Sequence, residues 1–321
     1  MKEYYLKWRE QALRGLEAGR KTRSIDPGRG AVLFCGMGGS GIIGDLIATL
    51  AYDRLNRPFL VVKDREPPAW VSPETLVIAV SYSGNTAETL ECVEKAFRKT
   101  QRMVLVSSGG RMLELSRNED LPLVTISRGM PPRAAMAEML YAVLGYFSKL
   151  DLSPVSPDEI EESLTVLSME PPIETTARML AEAMLERLPI IASTRPLHPL
   201  ALRWKNELNE NAKIPVKVEI LPEWGHNDVV GWEKPVEARY MFLVLDNGRD
   251  RALLDFASEW YERIGPVARI ELKGRSLLSQ LMHGALLGGL ASIELASLRG
   301  VDPMKTRGIE LYKQAYSSLH R

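Results

Sequence analysis

The chain has 321 residues, 45% hydrophobic and 26% charged, enough for two globular domains that each bury a core. Lys plus Arg and Asp plus Glu balance at 41 each, which gives no support to a nucleic-acid or membrane-surface protein, and no apolar run is expected to span a bilayer. Cys35 and Cys92 are the only cysteines, and the first residues lack the apolar core of a secretory signal; both fit a reducing cytoplasm and exclude a disulfide framework or a cysteine zinc site.

Residues 3–20 read as an amphipathic helix with Tyr5, Trp8, Leu13 and Leu16 on its apolar face, packing on the first domain or across a dimer. Residues 31–35 form the first buried strand. Gly36, Gly38 and Gly41 follow at the dinucleotide spacing G-x-G-x-x-G, ahead of an apolar helix over 42–47. The next strand, over 59–64, ends on Asp64, where a ribose ligand would stand, so a nicotinamide cofactor is one reading. Residues 77–80 are apolar throughout, as in a parallel sheet. Ser81, Ser83 and Thr86 come next, with Gly84 and Asn85 to turn the chain and Thr86 to cap the following helix. Hydroxyls beside the N–H groups of a helix N-terminus make a phosphate site; the plain alternative is a polar turn with nothing bound. Two small-residue loops on neighbouring strand ends suit a small phosphorylated ligand better than a dinucleotide.

Residues 102–106 and 123–126 are further strands. Pro131 and Pro132 then hold the chain extended before Arg133, which starts a helix running to about Lys149. A cation there opposes the helix dipole, so Arg133 is either solvated or set to meet an anion at the sheet end, where α/β folds bind ligands. Residues 151–157, with Ser-Pro twice, read as a linker between domains over 1–152 and 158–321. Helices from 158 and over 173–187 precede strands at 188–193, 216–220, 241–245 and 267–271. Helices over 200–212 and 253–264 lie among them, a long buried helix covers 277–299, and a last helix starts near 307. Two βαβ-rich halves suggest an internal duplication with a cleft between them.

Gly38-Gly39-Ser40-Gly41, the 81–86 loop and Pro132-Arg133-Ala134-Ala135 resemble the tandem sugar-isomerase (SIS) domain proteins. Within that group they are similar to the bifunctional phosphoglucose/phosphomannose isomerases of archaea and some bacteria. Residues 204–213, 223–228 and 306–313 of the second half agree, in order and at sensible spacing, so the resemblance covers nearly the whole chain. It implies an α/β fold of two SIS-type α-β-α sandwich domains, each with a mostly parallel β-sheet flanked by helices. It implies reversible, metal-independent isomerisation of glucose 6-phosphate and mannose 6-phosphate with fructose 6-phosphate through a cis-enediol(ate), without a cofactor.

The resemblance also assigns roles. Ser81, Ser83 and Thr86 would hold the phosphate, and Gly39 and Ser40 would line the sugar. Glu210 would be the base; the competing reading is a solvated helix carboxylate, as Glu207 is read here. His226 would open the ring, reaching the site from the neighbouring subunit of a homodimer, with Lys313 assisting. Arg133 would lie over the developing enediolate. Thr306 stands where ordinary phosphoglucose isomerases carry Gln, and the smaller side chain leaves room for the intermediate to turn its other face, giving mannose 6-phosphate. His283 reads as a core histidine, Lys305 as a decoy, and His198 and His320 have no supporting context. Glu223 and His226 lack further residues at ligand spacing, so no metal is expected. A non-catalytic sugar-phosphate sensor and an isomerase of another sugar phosphate, aminated or pentose, remain alternatives; Glu210, His226 and Lys313 together argue against the sensor.

Overall fold

Every strand expected from the apolar runs forms, and all pair in parallel. The protein is seen in a computed structural model that describes residues 1–168 and 172–319. These residues group into two units, Leu6–Ile160 and Met1–Tyr5 with Glu161–Arg321. The division falls within a helix just beyond the expected linker. The first five residues join the later unit, where Lys2 pairs with Glu174 at 2.6 Å and Glu294 at 2.9 Å and the Tyr5 ring packs against Gly289.

In the Leu6–Ile160 unit the strands are β1 (Val32–Cys35), β2 (Phe59–Val62), β3 (Leu76–Val80), β4 (Met103–Ser107) and β5 (Leu123–Thr125), in the order β2-β1-β3-β4-β5. β1, β3 and β4 are buried on both faces, which is why they read as unbroken apolar runs. The winding reverses between β1 and β3, and open α/β sheets bind ligands beyond the strand ends at such a switch point. The two loops singled out in the sequence leave those two strands.

The expected N-terminal helix is two helices, α1 (Lys2–Leu6) and α2 (Trp8–Lys21). Tyr5, Trp8 and Leu16 are buried, but Leu13 is 39% exposed, so it is not on the packed face. α2 lies close against a later helix, Met136–Phe147. Backbone there comes so near Gly15 and Gly19 that a Cβ at either would sit 2.2 Å from a carbonyl oxygen of Glu138 or Ala142. The Trp8 indole donates to the Ala134 carbonyl at 2.9 Å, fixing this pair beside Arg133.

The other unit carries β6 (Leu188–Thr194), β7 (Lys217–Leu221), β8 (Tyr240–Asp246) and β9 (Val267–Glu271), in the order β7-β6-β8-β9. Its central helix, Leu277–Leu298, corrects the expectation about apolar runs: by length and composition it could cross a bilayer. It is instead mostly buried inside this unit. Trp204 packs where Gly288 leaves space and donates to the Gly284 carbonyl at 2.7 Å.

Candidate functional site

The first set of site residues belongs to the Leu6–Ile160 unit. The helix after β1 begins at Gly38, earlier than the apolar pattern indicated, and runs to Ala51. Gly39 and Ser40 therefore lie in its first turn. A Cβ on Gly39 would come within 3.3 Å of the Arg133 backbone, so Gly39 and Arg133 are neighbours. Ser40 is buried, and its hydroxyl accepts the Tyr82 N–H at 3.1 Å, joining the two strand-end loops at the switch point.

The loop after β3 is held from several sides. Gly84 N–H donates to Ser81 O at 3.0 Å, closing a turn with Gly84 at φ +68°. The Tyr82 carbonyl accepts both the backbone N–H and the hydroxyl of Ser108, and the Tyr82 hydroxyl accepts the Met130 N–H at 2.8 Å. Thr86 occupies the N-cap of the helix Ala87–Phe97, as expected, but its hydroxyl does not cap. It lies 3.0 Å from the Ser81 hydroxyl, a partner the sequence pattern did not reveal. Ser83 is exposed and accepts the Asn85 N–H at 3.2 Å. Ser81 and Thr86 thus stand together at the start of a helix, where N–H groups and the dipole favour an anion. Arg133 is buried, on a short 3-10 turn over Pro132–Ala135 that precedes Met136–Phe147, so the solvated alternative for it falls. Asp64, the candidate ribose ligand, is exposed beyond the end of β2.

The second set belongs to the later unit. The helix expected over 200–212 is α-helical only over His198–Glu207; Leu208–Ala212 forms one turn of π-helix. π turns recur at functional sites because the extra residue re-aims a side chain without ending the helix. Glu210 sits on this turn, half-buried. It lines a cavity of about 450 Å³ together with Thr306, and Asn209, Lys213, Lys305 and Arg307 contribute to the same wall. Thr306 caps the last helix, Arg307–Leu319, its carbonyl accepting Ile309 N–H at 2.9 Å and Glu310 N–H at 3.2 Å. Base candidate and specificity candidate, 96 positions apart in the sequence, are therefore brought to one cavity. The sequence reading missed Lys213 and Arg307; a cation three residues after Glu210 was the available signal for Lys213.

Glu207 corrects the sequence reading most sharply. It is completely buried and ion-paired with Arg203, and it accepts from the Tyr5 hydroxyl at 2.6 Å and the Asn211 amide at 2.7 Å. Burial, reinforced by the Glu207 carboxylate, pushes the Tyr5 hydroxyl well above its ordinary range, so it stays a donor. Glu207 is a structural carboxylate, not a solvated one.

His226 is exposed at the end of the 3-10 turn Glu223–His226, anchored by buried Trp224 edge-on to Tyr261 at 5.5 Å. Lys313 is exposed on Arg307–Leu319. Neither lines the Glu210 cavity. His283 is buried on the central helix, as expected, and its Nδ1 accepts the Lys273 N–H at 3.3 Å. His198 starts its α-helix, and His320 lies outside the described residues.

Comparison with known proteins adds to this geometry. Residues 173–315 match the model of the bacterial phospho-glucose isomerase C-terminal SIS domain. A solved structure, the C-terminal domain of glucosamine-fructose-6-phosphate aminotransferase from Francisella tularensis, shares the fold. Its TM-score is 0.75 at 16% identity, over 95% of this chain and all of that one. The bifunctional phosphoglucose/phosphomannose isomerase of Aquifex aeolicus is 33% identical over 91% of this chain and 92% of its own. The protein of the same name from Pyrobaculum calidifontis is 35% identical over 97% of this chain and 98% of its own. With likeness of that extent along both units, the chain belongs to the bifunctional phosphoglucose/phosphomannose isomerase family.

Proposed function

We propose that this chain interconverts glucose 6-phosphate and mannose 6-phosphate with fructose 6-phosphate through a cis-enediol(ate). Family membership supports the reading, and the observation that carries it is the cavity shared by Glu210 and Thr306. The substrate phosphate goes to the hydroxyls of Ser81, Ser83 and Thr86 and the N–H groups at the start of Ala87–Phe97. Gly39 lets the sugar approach backbone beside Arg133, and Ser40 steadies that loop.

The chemistry then follows from residue types. His226 passes a proton between the anomeric hydroxyl and the ring oxygen, with Lys313 assisting, and the ring opens. Glu210 takes the C2 proton; the electron pair forms the enediolate, whose oxygen charge Arg133 offsets. The O2 hydroxyl proton passes to O1 within the cis-enediolate, and Glu210 then returns a proton to C1, its own or one exchanged with solvent, which gives the ketose with atoms and electrons balanced. A turn about C2–C3 presents the other face of C2, and Thr306 in place of a longer Gln leaves space for it. We further propose that His226 acts across a homodimer, which its exposure at a turn end supports. We also propose a reducing, cytoplasmic setting, supported by Cys35 and Cys92, which remain thiols with sulfurs 3.3 Å apart.

The test is formation of fructose 6-phosphate from each aldose separately, in EDTA, by the wild-type chain and Glu210→Gln. The reading expects turnover of both, lost in the variant. Tight sugar-phosphate binding without turnover would replace it with the sensor.

A further inference from the structure

The Glu207 cluster reaches the base's own turn. Glu207 closes the α-helical segment and Asn211 follows Glu210 directly on the π turn. Both are fully buried, as are Tyr5 and Ser292. One Glu207 oxygen receives the Tyr5 hydroxyl at 2.6 Å and the Asn211 amide at 2.7 Å; the other faces the Arg203 guanidinium. The same Asn211 amide donates to Ser292 at 2.9 Å, and Ser292 donates to the Gly289 carbonyl at 2.7 Å. Gly289 itself makes room for the tyrosine, since a Cβ there would fall 2.2 Å from the Tyr5 ring. The far end of the turn is tied as well, by Arg299 donating to Ala212 O at 3.0 Å.

We propose that Tyr5, Glu207, Asn211 and Ser292 are positioning residues that lock the π turn and so fix Glu210 for proton transfer. On this view the first helix is a catalytic strap, pinned by Lys2 between Glu174 and Glu294, with its tyrosine plugged beneath the base. The physical need is clear. A π turn has looser hydrogen bonding than an α-helix and persists only where its surroundings over-determine it. A proton shuttle tolerates little misplacement, since an ångström can cost about a hundredfold in rate. The buried carboxylate serves as the hub because it can accept from both strap and turn while Arg203 balances its charge.

The proposal rests on Glu210 being the base, and the experiment separates the two. Tyr5→Phe removes one hydroxyl and little volume. It is expected to lower kcat on glucose 6-phosphate about tenfold, leave KM within about twofold, and speed amide hydrogen exchange over 208–212 but not over 81–86. A structural defect alone would not confine its effect to kcat and to that turn. A kcat within twofold of wild type overturns the proposal, whatever the exchange shows. Should Tyr5→Phe fail to fold, Ser292→Ala is judged by the same criteria. If the wild type turns over neither aldose, the functional reading fails instead. The lock is then judged by exchange alone: faster exchange over 208–212 in Tyr5→Phe upholds it, and unchanged protection refutes it.

Discussion

The hydroxyls of Ser81 and Thr86 lie 3.0 Å apart, one at the end of a buried strand and the other at the start of the helix that follows. One donates to the other, and both keep their oxygens at a helix N-terminus. An arriving phosphate takes over donors that are already aimed. Ser81→Ala or Thr86→Val is therefore expected to raise KM for glucose 6-phosphate about tenfold, the scale of one hydrogen bond to a charged group, with kcat within about threefold. Inorganic phosphate should weaken in parallel as a competitive inhibitor. An unchanged KM in both variants would remove this loop from the phosphate site.

Gly84 sets the shape of the same loop. Its φ is +68°, and an added Cβ would fall 1.8 Å from the Gly109 carbonyl oxygen. Gly84→Ala must then displace one loop from the other, at an expected cost of about 2 kcal/mol or more in urea unfolding, together with a raised KM. Unaltered stability and KM would mean the two loops are not packed as described.

Thr306→Gln narrows the wall beside Glu210. The expected result is a fall of about tenfold or more in kcat/KM for mannose 6-phosphate with glucose 6-phosphate little changed, roughly the discrimination one added group gives in a pocket. Separate assays of the two aldoses read it directly. Equal retention of both would end the argument from side-chain size.

His283 gives a pH dependence that is independent of catalysis. Burial, with a smaller contribution from Lys273, lowers its pKa to about 4, and its Nδ1 is engaged as an acceptor. The folded state thus binds fewer protons than the unfolded chain between about pH 6.5 and 4. Stability from this site is full above the unfolded value and is lost as pH falls through that window, up to about 3 kcal/mol. Urea midpoints for wild type and His283→Asn should converge on acidification across the window. Parallel curves would contradict it.

Much of this was legible beforehand, for physical reasons. Strands buried on both faces, β1, β3, β4 and β8, are apolar almost without interruption, the half-exposed β7 and β9 alternate apolar with charged residues, and glycine and hydroxyl spacing marked both strand-end loops. The π turn was hidden because its apolar spacing continues that of the helix before it. Glu207 was misread because a carboxylate's burial depends on partners distant in sequence: Tyr5 lies 202 positions away and no local pattern announces it. Leu13 misled in the opposite sense, its spacing fitting the apolar face while its side chain points out. Thr86 was correctly put at a helix start but given the wrong partner, since a threonine can satisfy a neighbouring hydroxyl as readily as a backbone N–H.

The most direct test follows the proton. Fructose 6-phosphate is incubated with the enzyme in deuterium oxide, and the products are read by NMR at C2. The account predicts both glucose 6-phosphate and mannose 6-phosphate gaining solvent deuterium at C2 over repeated turnovers, as the proton held on Glu210 exchanges with solvent, with neither formed by Glu210→Gln. Products lacking deuterium in single-turnover and extended incubations alike, or turnover that survives Glu210→Gln, would contradict a shared enediolate served by that carboxylate.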